Sequence, residues 1–272
     1  MKLAEVINNK DISEGSKTTY LSILKRVEAD KFKIPVGKMQ MIKRINGYIA
    51  TLQKTSQKLD VLNIIITIRN ELGMNSDKIK EIRDTFRKKR VEDNVEVMKE
   101  LKHKLMSLSE YDEKLQAMYD NKEYSNYIVN YLFRHFGVRN KDVNVSIVKL
   151  KKNISDRNYL WIRPKSVIYL RKDYKTKSSY GEKRYEITDK QFRTAVRKLD
   201  TGPILKSGLL TNSLKKVIIA KESDVFKMLI DDAYSRSDWD EIKRLSESRG
   251  TNIQTIKEHY NINADGKDKY KI

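Results

Sequence analysis

Between Tyr159 and Ile187 the hydrophobic pattern changes period, and this constrains the fold more than any other feature of the chain. Tyr159-Leu-Trp-Ile162, Ser166-Val-Ile-Tyr-Leu170 and Arg184-Tyr-Glu-Ile187 are short β-branched and aromatic runs. Arg163-Pro164-Lys165 and the turn-forming stretch Lys175 to Gly181 separate them. Short runs between turn residues predict a three-stranded antiparallel meander over about 158–187. On both sides apolar residues recur at helical spacing. The expected class is mainly α with a small antiparallel β-sheet, an α+β fold.

A chain of 272 residues accommodates one large or two ordinary domains. Residues 1–94 read as a helical domain. Its stripes are Tyr20 to Val27, then Met39, Ile42, Ile45, Tyr48, Ile49 and Leu52, then Leu59 to Leu72 ended by Gly73, with a fourth beginning at Ile79. Ser13 to Ser16 offers N-caps. Arg87 to Asn94 is charged enough for a linker, or for a continuous helix. Residues 95–272 form the second domain. Helices are expected over Ser109 to Tyr119, with Ser109 as cap, and Tyr124 to Phe136, stopped by Gly137. After the meander they resume from Asp189 as cap, and then over Leu209 to Ile219, Val225 to Tyr234, Asp238 to Ser248 and Ile253 to Tyr260. Trp161 and Trp239 are expected in the core.

Composition narrows the function. Lys and Arg total 57 against 37 Asp and Glu, a net charge of +20, shared as +7 in residues 1–100 and +13 in 101–272. That excess favours a polyanionic partner, because neutralising phosphates releases counterions. The densest stretch, Lys149 to Arg184, holds 12 basic residues and 3 acidic ones, with Tyr159, Trp161, Tyr169, Tyr174 and Tyr180 among them. Cations interleaved with aromatics suit a nucleic-acid surface. With no Cys, the chain has no disulfides, no thiol nucleophile and no thiolate metal site. Three His argue against a multi-histidine zinc centre. The longest apolar run, Val61 to Ile68, is interrupted by Asn63 and Thr67 and falls short of the roughly 18 residues that span a bilayer. The N-terminus lacks the apolar core of a signal peptide, so the expectation is an intracellular, non-secreted protein without a membrane partner.

Three local motifs then add up. Phe136-Gly-Val-Arg139-Asn-Lys-Asp142 is a Gly-apolar-Arg turn followed by an acidic residue; Tyr174-Lys175-Thr176 precedes Tyr180-Gly181; and Leu245-Ser-Glu-Ser-Arg-Gly250-Thr251 runs on to Tyr260. In that order they resemble the tyrosine recombinases, the phage-integrase family whose catalytic fold is shared with type IB topoisomerases, and particularly its virus-encoded members. The resemblance implies a core-binding-like DNA clamp in residues 1–94 and a catalytic domain in 95–272. It implies Tyr260 as nucleophile, Arg139 as first catalytic arginine and Lys175 as general acid, with Lys177 the alternate. It also implies double-stranded DNA as partner, commonly with a tetramer assembled on it. Lys172, Lys177, Arg171, Lys183 and Arg184 would contact DNA. The family's His-x-x-Arg is here Asp224-Val-Phe-Lys227, so Lys227 takes the second arginine's place and Asp224 the histidine's. Thr251 stands where the family has His or Trp.

The implied chemistry is DNA cleavage and rejoining through a phosphotyrosine intermediate, which conserves bond energy and needs no cofactor or metal. Arg139 suits the developing phosphate charge because a guanidinium grips two oxygens at once. Lys227 keeps charge but loses that fork. Asp224 opposes phosphate binding unless it pairs with Lys227. His259 adjoins Tyr260, but a sequence neighbour on a helix points elsewhere. The altered positions motivate the alternative: a catalytically degenerate relative that binds DNA for architecture or packaging. A third reading is RNA binding by the basic sheet and its aromatics. Asn261 to Ile272, after the tyrosine, is short and polar.

Overall fold

The computed structural model describes residues 3–35, 41–150, 156–205 and 210–260, apart from the side chains of 95, 96, 98 and 99. Met39, Leu209 and the segment 261–272 lie outside the described residues. The chain divides into two compact units, Met1–Asn94 and Val95–Ile272.

The first unit holds α1 (Leu3–Asn8), α2 (Glu14–Ala29), α3 (Met41–Thr51), α4 (Thr55–Glu71) and most of α5 (Asp77–Lys102). Ser13 caps α2, its hydroxyl accepting the Ser16 N–H at 3.2 Å. Helix α4 is buried nearly all round. Val61, Leu62, Ile64, Ile65 and Ile68 are each wholly inaccessible, so it is the helix the others pack against. The charged segment 87–94 is part of α5 and continues as helix rather than forming a loop.

The second unit begins with the end of α5 and continues through α6 (Leu108–Asp120), α7 (Tyr124–Phe136), β1 (Val145–Val148), β2 (Asn158–Ile162), β3 (Val167–Arg171), α8 (Lys177–Tyr180), β4 (Lys183–Ile187), α9 (Lys190–Arg197), β5 (Gly202–Pro203), α10 (Leu210–Lys215), α11 (Glu222–Ser235), α12 (Trp239–Arg249) and α13 (Ile253–His259). Helix α6 is capped by Ser107 rather than Ser109. Ser107 and Glu110 form a reciprocal capping box, and Ser109 lies inside the helix. Gly137 closes α7 in the left-handed conformation at φ 58°, and Asp189 caps α9 through the Phe192 N–H at 2.7 Å.

The meander forms as expected, with Tyr159 paired to Leu170 and Tyr169 to Tyr185, but the sheet is larger. It has five strands in the order β4-β3-β2-β1-β5 and is mixed, because β1 runs parallel to β2. Both faces are covered. Val145, Ile147, Leu160, Val167 and Tyr169 join the main core with α7, α9 and α11. Val148, Tyr159, Ile168 and Leu170 form a second cluster on the other face, with Trp161 against it. Pro203, which cannot donate to a ladder, sits on the edge strand where no donor is required. Trp239 is not in the core: it is 52 % exposed, edge-on to Tyr234 at the first position of α12. As the first residue of a helix it lies at the rim of the packed face.

Candidate active site

The sheet positions the site at one end. Asn158, buried at the start of β2, donates to the Asp173 carbonyl at 2.8 Å and accepts from the backbone N–H groups of Lys172 and Asp173 at 3.0 and 2.9 Å. This fixes the base of the β3–β4 hairpin. At the same end the Tyr169 hydroxyl donates to the Asp142 carbonyl at 2.9 Å.

Two helix C-termini meet here. The last carbonyls of any helix lack intrahelical partners and carry the negative end of its dipole. At the end of α7, the carbonyls of His135, Phe136 and Gly137 accept from Arg244 (2.9 Å), Ser248 (2.6 Å) and Arg249 (2.9 Å), all on α12. Helix α12 ends in a Schellman turn, with the Thr251 N–H bonded to Ser246 O and the Gly250 N–H to Glu247 O, each at 3.1 Å. Its terminal carbonyls take side chains from elsewhere: Lys183 on Glu247 O, Arg171 on Ser248 O, Arg139 on Arg249 O and the Thr176 hydroxyl on Gly250 O. Three cations thus gather at one negative helix end, from the α7–β1 turn and both arms of the hairpin.

Gly250 makes that close approach possible. Its φ is +64°, and a Cβ there would lie 2.3 Å from Thr176 Oγ1. Gly250→Ala is expected to lose about 2–3 kcal/mol, from the left-handed backbone and the broken threonine contact. Urea unfolding checks this.

Arg249 lies at the centre, 2 % exposed. Its Nη1 donates to Gly137 O and Val138 O, and its Nη2 to Glu222 Oε1 at 2.8 Å. The same Nη2 is 3.5 Å from the Tyr260 hydroxyl. The guanidinium stacks over the Phe226 ring at 4.2 Å, and Phe226 meets Tyr260 edge-on at 4.8 Å. The other carboxylate oxygen of Glu222 accepts the Asn140 N–H at 2.5 Å. Arg139 is half-buried beside them. Burial, and then the neighbouring Arg249 charge, draw it below the ordinary arginine range. Beyond its bond to Arg249 O, its other guanidinium N–H groups have no hydrogen-bond partner among the described residues. Asp142 accepts the Arg139 N–H at 3.0 Å and an ion pair from Arg171, both side chains wholly buried. Burial raises its carboxyl, and the Arg171 charge pulls it back.

Lys183 is held well below the ordinary lysine range. Burial, aided by the Arg171 charge, brings it down to about 8. Its ammonium lies over Tyr180 and Tyr174, 5.0 and 5.6 Å from the ring centres.

Of the residues singled out from sequence, Arg139, Arg171 and Lys183 meet at the α12 carbonyls, and Tyr260 lies beside Arg249. Lys175 is exposed on the hairpin, next to Thr176, and has no partner among the described residues. Asp224 and Lys227 face each other on α11, 3.9 Å apart, and among the described residues no hydrogen bond or ion pair joins either to Arg139, Arg249 or Tyr260. Thr251 contributes backbone to the Schellman turn. Lys172 pairs with Glu182 at 3.4 Å, while Lys177 and Arg184 are exposed. Arg171 is no surface DNA contact. It is fully buried, because its guanidinium is consumed by Asp142 and Ser248 O and stacks on Tyr174. Arg249 lies within the Leu245–Thr251 motif without a role implied for it, and Glu222 lies outside every motif.

Comparisons of the chain with protein-family models, with curated proteins and with solved structures find no match. No described helix is long and apolar enough to cross a membrane.

Proposed function

We propose that the chain cleaves and rejoins double-stranded DNA in the manner of a tyrosine recombinase, with Tyr260 as nucleophile. The observation that carries this reading is the meeting of the Tyr260 hydroxyl with the buried Arg249, whose carbonyl holds Arg139 while Lys183 sits on the carbonyl of Glu247 in the same helix end. In the reaction the phenol oxygen, its proton lost to solvent, attacks phosphorus, forming a phosphotyrosine bond as the bond to the 5′ oxygen breaks. Arg139 and Arg249 supply fixed positive charge to the non-bridging oxygens. Arg249 replaces the second family arginine from a different helix, since Lys227 is paired with Asp224. Lys183, held on Glu247 O at the same helix end, is our candidate for protonating the departing oxygen in place of Lys175. A general acid works best near the ambient pH, and about 8 suits it.

The test is covalent trapping on nicked suicide duplexes across pH. The acid must start protonated, so adduct formation is expected to fall as pH rises through about 8. Lys183→Ala should slow cleavage on the order of 10²–10⁴-fold and remove that alkaline limb. Large loss in Lys175→Ala with near-normal Lys183→Ala returns the role to Lys175.

One observation favours a second reading, a DNA-binding protein without cleavage. Glu222 holds Arg249 and the Asn140 N–H with its carboxylate, at the place a phosphate would use them. Tight, salt-sensitive binding without an adduct on any duplex supports that alternative.

A further inference from the structure

The end of the sheet opposite Tyr260 carries a second concentration of charge. Strand β3 spans five residues, about 16 Å at roughly 3.3 Å each, and separates the hairpin from the β2–β3 turn. At that turn Arg163 and Lys165 are exposed, and Arg163 stacks on Trp161 at 4.9 Å. Helix α9 is tied to the same turn by two arginines one helical turn apart. Arg193 donates to Lys165 O at 3.0 Å, and Arg197 to Arg163 O and Pro164 O at 2.8 and 2.7 Å. Lys190 shares their face of the helix, and exposed Lys198 follows. Among the described residues none of these six cations makes an ion pair. Of the carboxylates near them in sequence, Asp189 is occupied as the α9 cap, and exposed Glu186 and Asp200 form no ion pair with them.

Six unpaired cations, two of them held rigidly by backbone carbonyls, are costly to keep together unless an anion meets them. We infer that this surface binds the phosphate backbone of a second DNA duplex, so that one chain bridges two segments. The contact is to backbone, not sequence: the arginine forks match phosphate oxygens, and no groove-reading element lies at the turn. It does not depend on Tyr260 chemistry.

The experiment uses full-length Tyr260→Phe protein, which excludes covalent capture. Binding to a fluorescent duplex is titrated against salt, and a labelled second duplex is captured on an immobilised first one. In Arg163→Ala/Lys165→Ala the slope of log K against log salt is expected to fall by about 2, at roughly 0.9 per phosphate contact. Capture of the second duplex should drop at least tenfold, while the immobilised duplex is still bound. Lys165→Ala/Lys198→Ala, which leaves the Trp161 stack intact, should repeat the effect if the first variant folds poorly. An unchanged slope overturns the inference, as does equal capture by parent and variants or no capture by the parent. Loss of binding to polyglutamate but not to duplex would also overturn it, marking a protein-docking face instead. Because cleavage is absent throughout, failure here is separate from failure of the strand-transfer reading.

Discussion

Tyr260→Phe is expected to form no covalent adduct on a nicked duplex while binding that duplex as the parent does. Removing a nucleophile leaves only residual chemistry, so the drop should be at least about 10³-fold and reach the detection limit on a denaturing gel. Binding should survive because the phenol oxygen makes one long contact, 3.5 Å to Arg249, while the ring packs on Phe226. Phenylalanine keeps that ring and its packing. An adduct that persists in Tyr260→Phe would move the nucleophile to another residue. Adduct absent from both proteins, with duplex binding intact, would favour the architectural reading.

The second large effect is on stability. Arg249→Ala removes the shared donor to Gly137 O and Val138 O at the end of α7, and leaves Glu222 without its ion pair. Breaking a buried ion pair from one side costs about 3–5 kcal/mol. For a domain of this size that corresponds to a fall of roughly 6–20 °C in Tm. Calorimetry checks it. Arg249→Lys should lose less, since one ammonium can still reach Glu222 or a carbonyl but not all of them. Glu222→Gln relieves the competition at Arg249 and Asn140 and is the companion variant: duplex affinity should rise rather than fall. A melting temperature unmoved by Arg249→Ala would remove this residue from the centre of the fold.

How much of this was legible beforehand follows from what each residue depends on. Ser13, Gly137 and Asp189 were legible as caps because they act on backbone within a few residues of themselves, whereas Ser109 gave way to Ser107, where Glu110 completes a capping box. The meander read well because its period and turns are local. Parallel β1 did not, since its partner β2 lies beyond a long connection. Arg171 looked like surface because a basic run carries no mark of which member turns inward to Asp142. Lys183 and Lys175 could not be ranked for the same reason: the difference between them is the approach of α12, more than sixty residues away. Arg249 was one basic residue among 57, and only burial against Glu222 and Tyr260 distinguishes it.

The carbonyls that collect the site cations belong to residues 247–250, whereas their donors lie 64 to 110 positions earlier. During synthesis Arg139, Arg171 and Lys183 emerge long before the helix end that organises them, and N-terminal segments fold first. Contacts across such separations carry the loop-closure cost that delays them in folding. A nascent chain therefore displays its basic hairpin before α12 and α13 exist to gather it around Arg249. The cluster that the proposed chemistry needs is assembled last, only after α13 has been made.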